Sequence, residues 1–348
     1  MGKEGNPGKS RHPVKSYAVT LAALILFAGL YGYWHFRVRN QEPVRKVETG
    51  PALVEADVES LREITIEGRK VGQNRLVLRK LESGKWALVE PEGYPTNEST
   101  VKLAVDQLAK LKGLRLIAEE ATDLTPFGLH DPSLRVEGSL EDGRKVVVEV
   151  GDETPVGGSY YARETSAPRV VTISNSTYEI LGQDLNALVE KILADFDRDA
   201  VTRITLDLEG KSRVLERTET GWKSRGAAGG DVEIARDGVD KILFTLRWLF
   251  ADAIPIVPEM SPLPPDLLSG YGLHPPRLVI KLELAESDPL VFTIGTEGVT
   301  APDSGASPGK TGAVEVAYVL VSGKNLIYPV RVAQLEPLAA AAAKILAE

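Results

Sequence analysis

The sequence predicts an α+β fold: one N-terminal transmembrane helix, then two tandem copies of an α+β repeat, each an antiparallel or mixed sheet covered by helices. Three observations carry this expectation. Phe127-Gly128-Leu129-His130-Asp131-Pro132 returns 144 residues later as Tyr271-Gly272-Leu273-His274-Pro275-Pro276. The helical stripe Val101, Ala104, Val105, Leu108 and Leu111 recurs at a constant offset of 138 as Val239, Ile242, Leu243, Leu246 and Leu249. The flanks repeat as well: residues 61–66 match 201–206, Trp86 matches Trp222, and Val150-Gly151 matches Ile294-Gly295. Similarity at a nearly fixed period marks an internal duplication, and drifting offsets mark loops that gained or lost residues between fixed strands. The chain therefore divides into a tail, span and tether over 1–48, a first repeat over 49–196 and a second over 197–348.

At 348 residues, with 43% hydrophobic and 26% charged side chains, each repeat is large enough to bury a core without staples. The chain has no cysteine, which excludes disulfides, thiolate nucleophiles and cysteine-held metals. Residues 1–48 carry 8 Lys/Arg and 3 acids, so the net charge of −8 leaves −13 on the remainder. An acidic body repels phosphate backbones, which argues against nucleic acid as a partner.

The first element is YAVTLAALILFAGLYGYW, residues 17–34, without a charge. At about 1.5 Å per residue it reaches roughly 27 Å, enough to cross a hydrocarbon core. Tyr17 at one end and Tyr31, Tyr33 and Trp34 at the other form interfacial belts. A cleaved leader would continue into small residues, whereas this run continues into His35, Phe36 and Arg37, so the segment reads as a permanent anchor in the bilayer. Lys and Arg are balanced on its two sides, so charge alone does not orient it. Residues 37–56 are polar, hold two prolines and show no period; they read as a tether.

Each repeat then opens with three strands: 61–66, 75–80 and the Trp86 strand, against 201–206, 213–217 and the Trp222 strand. A helix follows, capped in the first copy by Thr96 or Asn97. After the Gly-Leu-His turn come strands 133–140, 145–150, 160–163 and 169–173, against 277–284, 290–294, 317–321 and 326–330. Helices over 177–193 and 332–346 close the copies. The order βββ-α-ββββ-α gives a sheet with its helices on one face. Residues 303–310, rich in Gly, Ser and Pro, read as a surface insertion of the second copy.

Motifs of chemistry were weighed against blander roles. Gly305-Ala306-Ser307-Pro308-Gly309 matches G-x-S-x-G, but a nucleophile elbow needs a strand before it and a helix after it. The overlapping stretch 304–311 lacks the first glycine of a phosphate loop. Asp195, Asp197 and Asp199 resemble the start of a calcium loop, yet Ala200 replaces the glycine and Leu206 the terminal Glu. His130 and His274 lack the companions a metal needs and read as turn residues bonding nearby backbone. Trp86 and Trp222 read as core anchors. Gly128 and Gly272 supply a positive φ, and Tyr160, Tyr161 and Tyr318 read as cross-strand packing. No catalytic, cofactor-binding or metal-binding residue is assigned, and no cofactor is expected.

Trp86-Ala87-Leu88 with Pro91, the two Gly-Leu-His turns, Val150-Gly151, Ile294-Gly295, Tyr160-Tyr161 and the junction near 193–199 together resemble the membrane proteins of domain-of-unknown-function family 4340 (DUF4340). The resemblance spans nearly all of residues 55–345; Trp222-Lys223-Ser224 and the Gly226–Gly230 run depart from it. It implies one N-terminal span, a body outside the bacterial cytoplasmic membrane, and similarity to gliding-motility-type ABC-transporter accessory proteins. It assigns no catalytic residue. The function expected is a membrane-anchored, non-enzymatic accessory or scaffold subunit of an ABC-2-type export system, with the bilayer, a permease and an ATPase as partners. The alternatives are an envelope module that binds a glycan or peptide, and a hydrolase with an unrecognised site. A reporter fused after Glu348 is expected to be active outside the cytoplasm, and the mature protein to retain residues 1–34. Cytoplasmic reporter activity would reverse the orientation, and an N-terminus near residue 50 would remove the anchor.

Overall fold

Alternation of apolar and polar residues builds two antiparallel sheets in this mixed α+β chain. The computed structural model describes Tyr31 and residues 50–72, 75–225, 230–258, 261–296, 299–302 and 313–347. The expected span at 17–34, Tyr31 apart, and the insertion at 303–310 lie outside the described residues. Among those described, no helix is long and apolar enough to cross a membrane.

The first half runs β1 (Leu61–Glu67), β2 (Leu76–Lys80), β3 (Trp86–Glu90), α1 (Glu98–Ala109), β4 (Arg115–Ala118), β5 (Leu134–Leu140), β6 (Lys145–Glu153), β7 (Ser159–Glu164), β8 (Val170–Ser174), α2 (Asn175–Leu181) and α3 (Leu185–Leu188). The second runs β9 (Val201–Leu208), β10 (Lys211–Arg217), β11 (Trp222–Arg225), β12 (Asp231–Ile234), α4 (Arg236–Arg247), α5 (Pro265–Gly270), β13 (Leu278–Leu284), β14 (Leu290–Ile294), β15 (Val299–Pro302), β16 (Ala313–Val321), β17 (Ile327–Arg331) and α6 (Val332–Ala347). The first sheet has the order β3-β2-β1-β5-β6-β7-β8-β4. The second contains the same path, β11-β10-β9-β13-β14-β16-β17, extended by β12 and β15 at its edges.

Burial follows the two periods. Along β5 every second residue is buried, as a sheet with one face on a core requires. All ten stripe residues expected on the two long helices are buried. Each Leu or Val so placed contributes roughly 1.5–3 kcal/mol. Asn97 is the residue that caps α1, accepting the Thr100 N–H at 3.2 Å. Thr96 instead accepts the Leu88 N–H at 2.8 Å, tying the helix entrance to β3.

Three expectations change. The tether does not reach residue 56: Leu53 and Val54 are buried in the first core, and Leu53 donates its N–H to Leu111 at 2.8 Å. The helix expected over 177–193 is two short ones, because Gly182 ends α2 and Asp184 starts α3 by accepting the Ala187 N–H. Leu193, Ala194 and Phe196, placed at the end of the first repeat by sequence, pack in the second core. The chain crosses between halves within a few residues. Glu190 N–H donates to Pro95 at 2.8 Å, and Leu193 N–H to Leu249 at 3.0 Å. Asp197 accepts the Asp199 N–H and so caps the 3-10 turn before β9, as Asp57 does before β1.

The two Gly-Leu-His turns share one construction. Gly128 and Gly272 have φ of 65° and 66°, where a side chain is strained. Leu129 N–H closes on the Leu124 carbonyl at 3.1 Å, and Leu273 N–H on Leu268 at 2.8 Å. His130 and His274 are exposed, and among the described residues neither imidazole makes a hydrogen bond; backbone bonds hold the turn instead. A Cβ on Gly151 would fall onto the Phe127 carbonyl oxygen, and one on Gly295 would crowd those of Tyr271 and Gly272 at 3.0 Å. Gly128→Ala and Gly151→Ala are therefore each expected to lower stability by more than ~1 kcal/mol in urea unfolding. Gly221→Ala, with open space and no positive φ, should change it far less. Equal effects would show that close backbone approach is not what these positions require.

Candidate functional site

After α4 the chain runs through Ile254-Pro255-Ile256-Val257-Pro258 and lays Ile256 against β17. Ile256 and Ile327 exchange both backbone bonds, at 2.9 and 3.0 Å. Helix α5 then presents Leu267, and the glycine turn presents Tyr271. Together Ile256, Val257, Pro258, Pro264, Leu267, Tyr271 and Ile327 line a concavity of about 410 Å³. The Tyr271 ring stands edge-on to Tyr318, 4.8 Å between centroids and 74° between planes, a favoured aromatic geometry. Burial raises the Tyr318 phenol above its ordinary pKa, with Tyr271 adding to the shift, so it stays neutral. A Cβ on Gly93 would strike a Val257 methyl; the wall of the concavity thus abuts the first half.

The same frame exists in the first half with other chemistry. Phe127 stands edge-on to Tyr161 at 5.1 Å. Ala118 pairs with Val170 where Ile256 pairs with Ile327. The residues that follow are Glu119 and Glu120 in one half and Val257 and Pro258 in the other. The turn carbonyls of Leu124 and Leu268 correspond, which sets Asp123 opposite Leu267. Three acids thus occupy the positions that are apolar in the second half. Apolar lining with one hydroxyl-bearing ring suits an apolar ligand or side chain rather than proton transfer.

A second concavity, about 520 Å³, is lined by Asp57, Glu59, Arg62, Lys80 and Glu141 among others. Four of its charges pair: Arg62 meets Glu141 at 2.5 Å and Lys80 meets Glu59 at 2.7 Å. The hydrogen bond from Lys80 holds the Glu59 carboxyl below its ordinary value. An ionised, paired, solvent-exposed carboxylate is a poor general acid or base at neutral pH.

The residues weighed from sequence fall as follows. Ser307 lies outside the described residues. His130 and His274 each sit in their own exposed turn. Among the described residues no group of three or more His, Cys, Asp and Glu could hold a metal. Trp222 is buried in the second core with the Arg217 guanidinium 5.0 Å from its ring centre, and Trp86 packs against the first. Tyr160 stacks on Tyr178 of α2 at 4.0 Å. Its ring thus also meets a helix, and that of Tyr161 a turn, while β8 pairs with both residues through Ile173 and Thr172. Sequence reasoning missed the apolar concavity. Its visible signal was the proline-bracketed run 254–258, set where the other half reads Glu-Glu.

Where the halves meet, Lys324 donates to the Leu193 carbonyl at 2.6 Å and lies 5.9 Å from the Tyr328 ring centre. Burial lowers the Lys324 pKa, opposed by Glu190 and Asp195. Tyr328 is fully buried, its hydroxyl has no hydrogen-bond partner among the described residues, and burial pushes its pKa up to about 12.

A family model described as Domain of unknown function (DUF4340) matches residues 86–276, more than half of the chain. The match starts on Trp86 and ends on Pro276, so it takes in both Gly-Leu-His turns. No curated protein and no solved structure matches the chain.

Tyr328→Phe is expected to be neutral or mildly stabilising at pH 7, since it removes a buried hydroxyl that bonds to nothing. In alkali the sign changes. The unfolded phenol releases its proton near 10 and the folded one near 12, so the unfolded state binds fewer protons in that window and stability falls as pH rises. Unfolding measured from pH 9 to 12 should show the wild type losing up to ~2–3 kcal/mol relative to Tyr328→Phe. Parallel profiles would mean the phenol titrates normally.

Proposed function

This chain belongs to the DUF4340 family, and we propose that it is a membrane-anchored, non-enzymatic scaffold subunit whose body lies outside the bacterial cytoplasmic membrane beside an ABC-2-type exporter. Residues 17–34 hold it in the bilayer. The two sheets are two copies of one duplicated unit, a reading supported by the shared strand path, the matched turns and the matched helical stripes. The first copy keeps acids around its turn and is a soluble support. The second has exchanged them for an apolar concavity and is the gripping unit.

The observation that carries this reading is the lining of Ile256, Val257, Leu267, Tyr271 and Ile327. It offers area and shape for an apolar segment of a permease and few polar groups to orient a sugar. A glycan site would need several convergent donors and acceptors. The body is acidic, which suits a protein partner better than a nucleic acid.

The test uses full-length, tagged protein extracted from its own membranes in mild detergent, with recovered proteins identified by mass spectrometry. The wild type should bring down an ABC-type permease. Leu267→Asp, which installs the first half's own residue at this position, should fold normally and lose that permease. Recovery unchanged by Leu267→Asp would remove the concavity from the function, and absence of a permease from the wild type would remove the exporter.

A further inference from the structure

Helix α4 buries its stripe and leaves aromatic rings outside. Phe244 and Trp248 lie one turn apart, the Trp248 N–H reaching the Phe244 carbonyl at 3.3 Å, and are 55% and 57% exposed; Phe250 follows at 46%. Single exposed apolar residues are ordinary. Three rings at one helix end are not, because each forfeits about the burial energy of a core side chain. Each helical ring carries a cation. The Arg198 guanidinium lies 5.9 Å from the Phe244 centroid, and that of Arg247 5.3 Å from Trp248. Arg247 also meets Asp195 at 2.7 Å. Arg198 is exposed and makes no ion pair among the described residues. The fold does not need the rings: at the same offset of 138 the first half has Asp106, Lys110 and Lys112.

We propose that Phe244 and Trp248, with the guanidiniums of Arg198 and Arg247, form a docking site for a segment of a partner protein that carries carboxylates beside apolar side chains. Trp and Arg together are the residues that dominate protein–protein binding energy. Their charge selects the occupant: Arg247 already meets Asp195, so Arg198 is the cation left to take a partner's carboxylate. A second copy fits less well. A two-fold contact would set arginine against arginine and bring together two bodies of the same negative sign. A bilayer fits less well too. The chain leaves its tether at residue 50, beside Gly113, just past the C-terminal end of α1. The junction lies at the other end of α1, roughly 18 Å away for 12 residues, and the aromatic patch lies beyond it. The site is separate from the apolar concavity and does not depend on that concavity's role.

The experiment uses full-length protein in phosphatidylcholine nanodiscs. The probe is a fluorescein-labelled synthetic helical peptide with a leucine stripe flanked by glutamates, read by anisotropy beside its lysine-for-glutamate counterpart. The glutamate peptide should bind saturably and the lysine peptide at least tenfold more weakly. Phe244→Ser with Trp248→Ser should weaken the glutamate peptide at least tenfold, and Arg198→Glu at least fivefold, both with unchanged thermal melting. Should the double variant fail to fold, Arg198→Glu, at an exposed position, carries the test. Leu267→Asp should bind the peptide as the wild type does, which separates this proposal from the concavity. Absence of saturable binding, equal binding of the two peptides, or equal binding by Arg198→Glu overturns it. So does binding of the free body to phosphatidylglycerol vesicles that Trp248→Ser abolishes, which would make the occupant a lipid surface. A dimer that Trp248→Ser converts to monomer would make it a second copy.

Discussion

Two glycine–glycine approaches set the geometry on which the rest of each half depends. The backbone of the Gly-Leu-His turn lies against the end of the strand that carries Gly151 or Gly295, leaving no room for a Cβ on Gly151 and a tight fit, 3.0 Å from the turn carbonyls, for one on Gly295. Because the turn cannot drift from that strand end, the aromatic residue before it is held edge-on to a tyrosine of the neighbouring strand, Phe127 to Tyr161 and Tyr271 to Tyr318. In the second half that fixed ring becomes one wall of the apolar concavity. The constraint acts through main-chain contact, so it leaves the surrounding side chains free to differ between halves.

The helices could be read from sequence because burial has a period there. Val101 through Leu111 and Val239 through Leu249 repeat at helical spacing, and one face of each is wholly inside. The turns were legible because a positive φ selects glycine. The break at Gly182 was not read, since a glycine and a capping Asp inside an apolar-rich stretch compete with the helical pattern, and only packing decides. The junction was misplaced for a related reason. Segments 50–57 and 190–197 pair with the ends of α1 and α4, and such isolated bridges leave no periodic trace. The concavity depends on Ile256 meeting Ile327, a pairing across most of the second half that no local pattern announces. The aromatic rings of α4 were in principle visible, because Phe244 and Trp248 fall off the very stripe that identified the helix.

Charge divides the surface in a comparable way. Around the first sheet the acids and bases form exposed pairs such as Arg62 with Glu141 and Lys80 with Glu59, which contribute little to stability each. Other polar groups are more buried and more specific: Glu149 of β6 is 8% exposed and meets Arg135 at 2.7 Å and Arg163 at 2.8 Å. In the second half Lys324 donates to the Leu193 carbonyl, and Asp252, its side chain only 7% exposed, holds Arg331 at 2.6 Å. Removing one member of such a pair upsets the balance of a buried charge, so these sites tolerate change less well than the rims do.

The corresponding positions Asp123 and Leu267 show what a single chain with two like sheets can do that a pair of identical chains cannot. In a homodimer every substitution is written twice, so an apolar residue lining a concavity and an exposed acid can never occupy the same site of the same fold. Here they do, because each half has its own codon. The first half can remain under selection for staying in solution while the second explores stickier surfaces. Symmetry has become a scaffold for asymmetry.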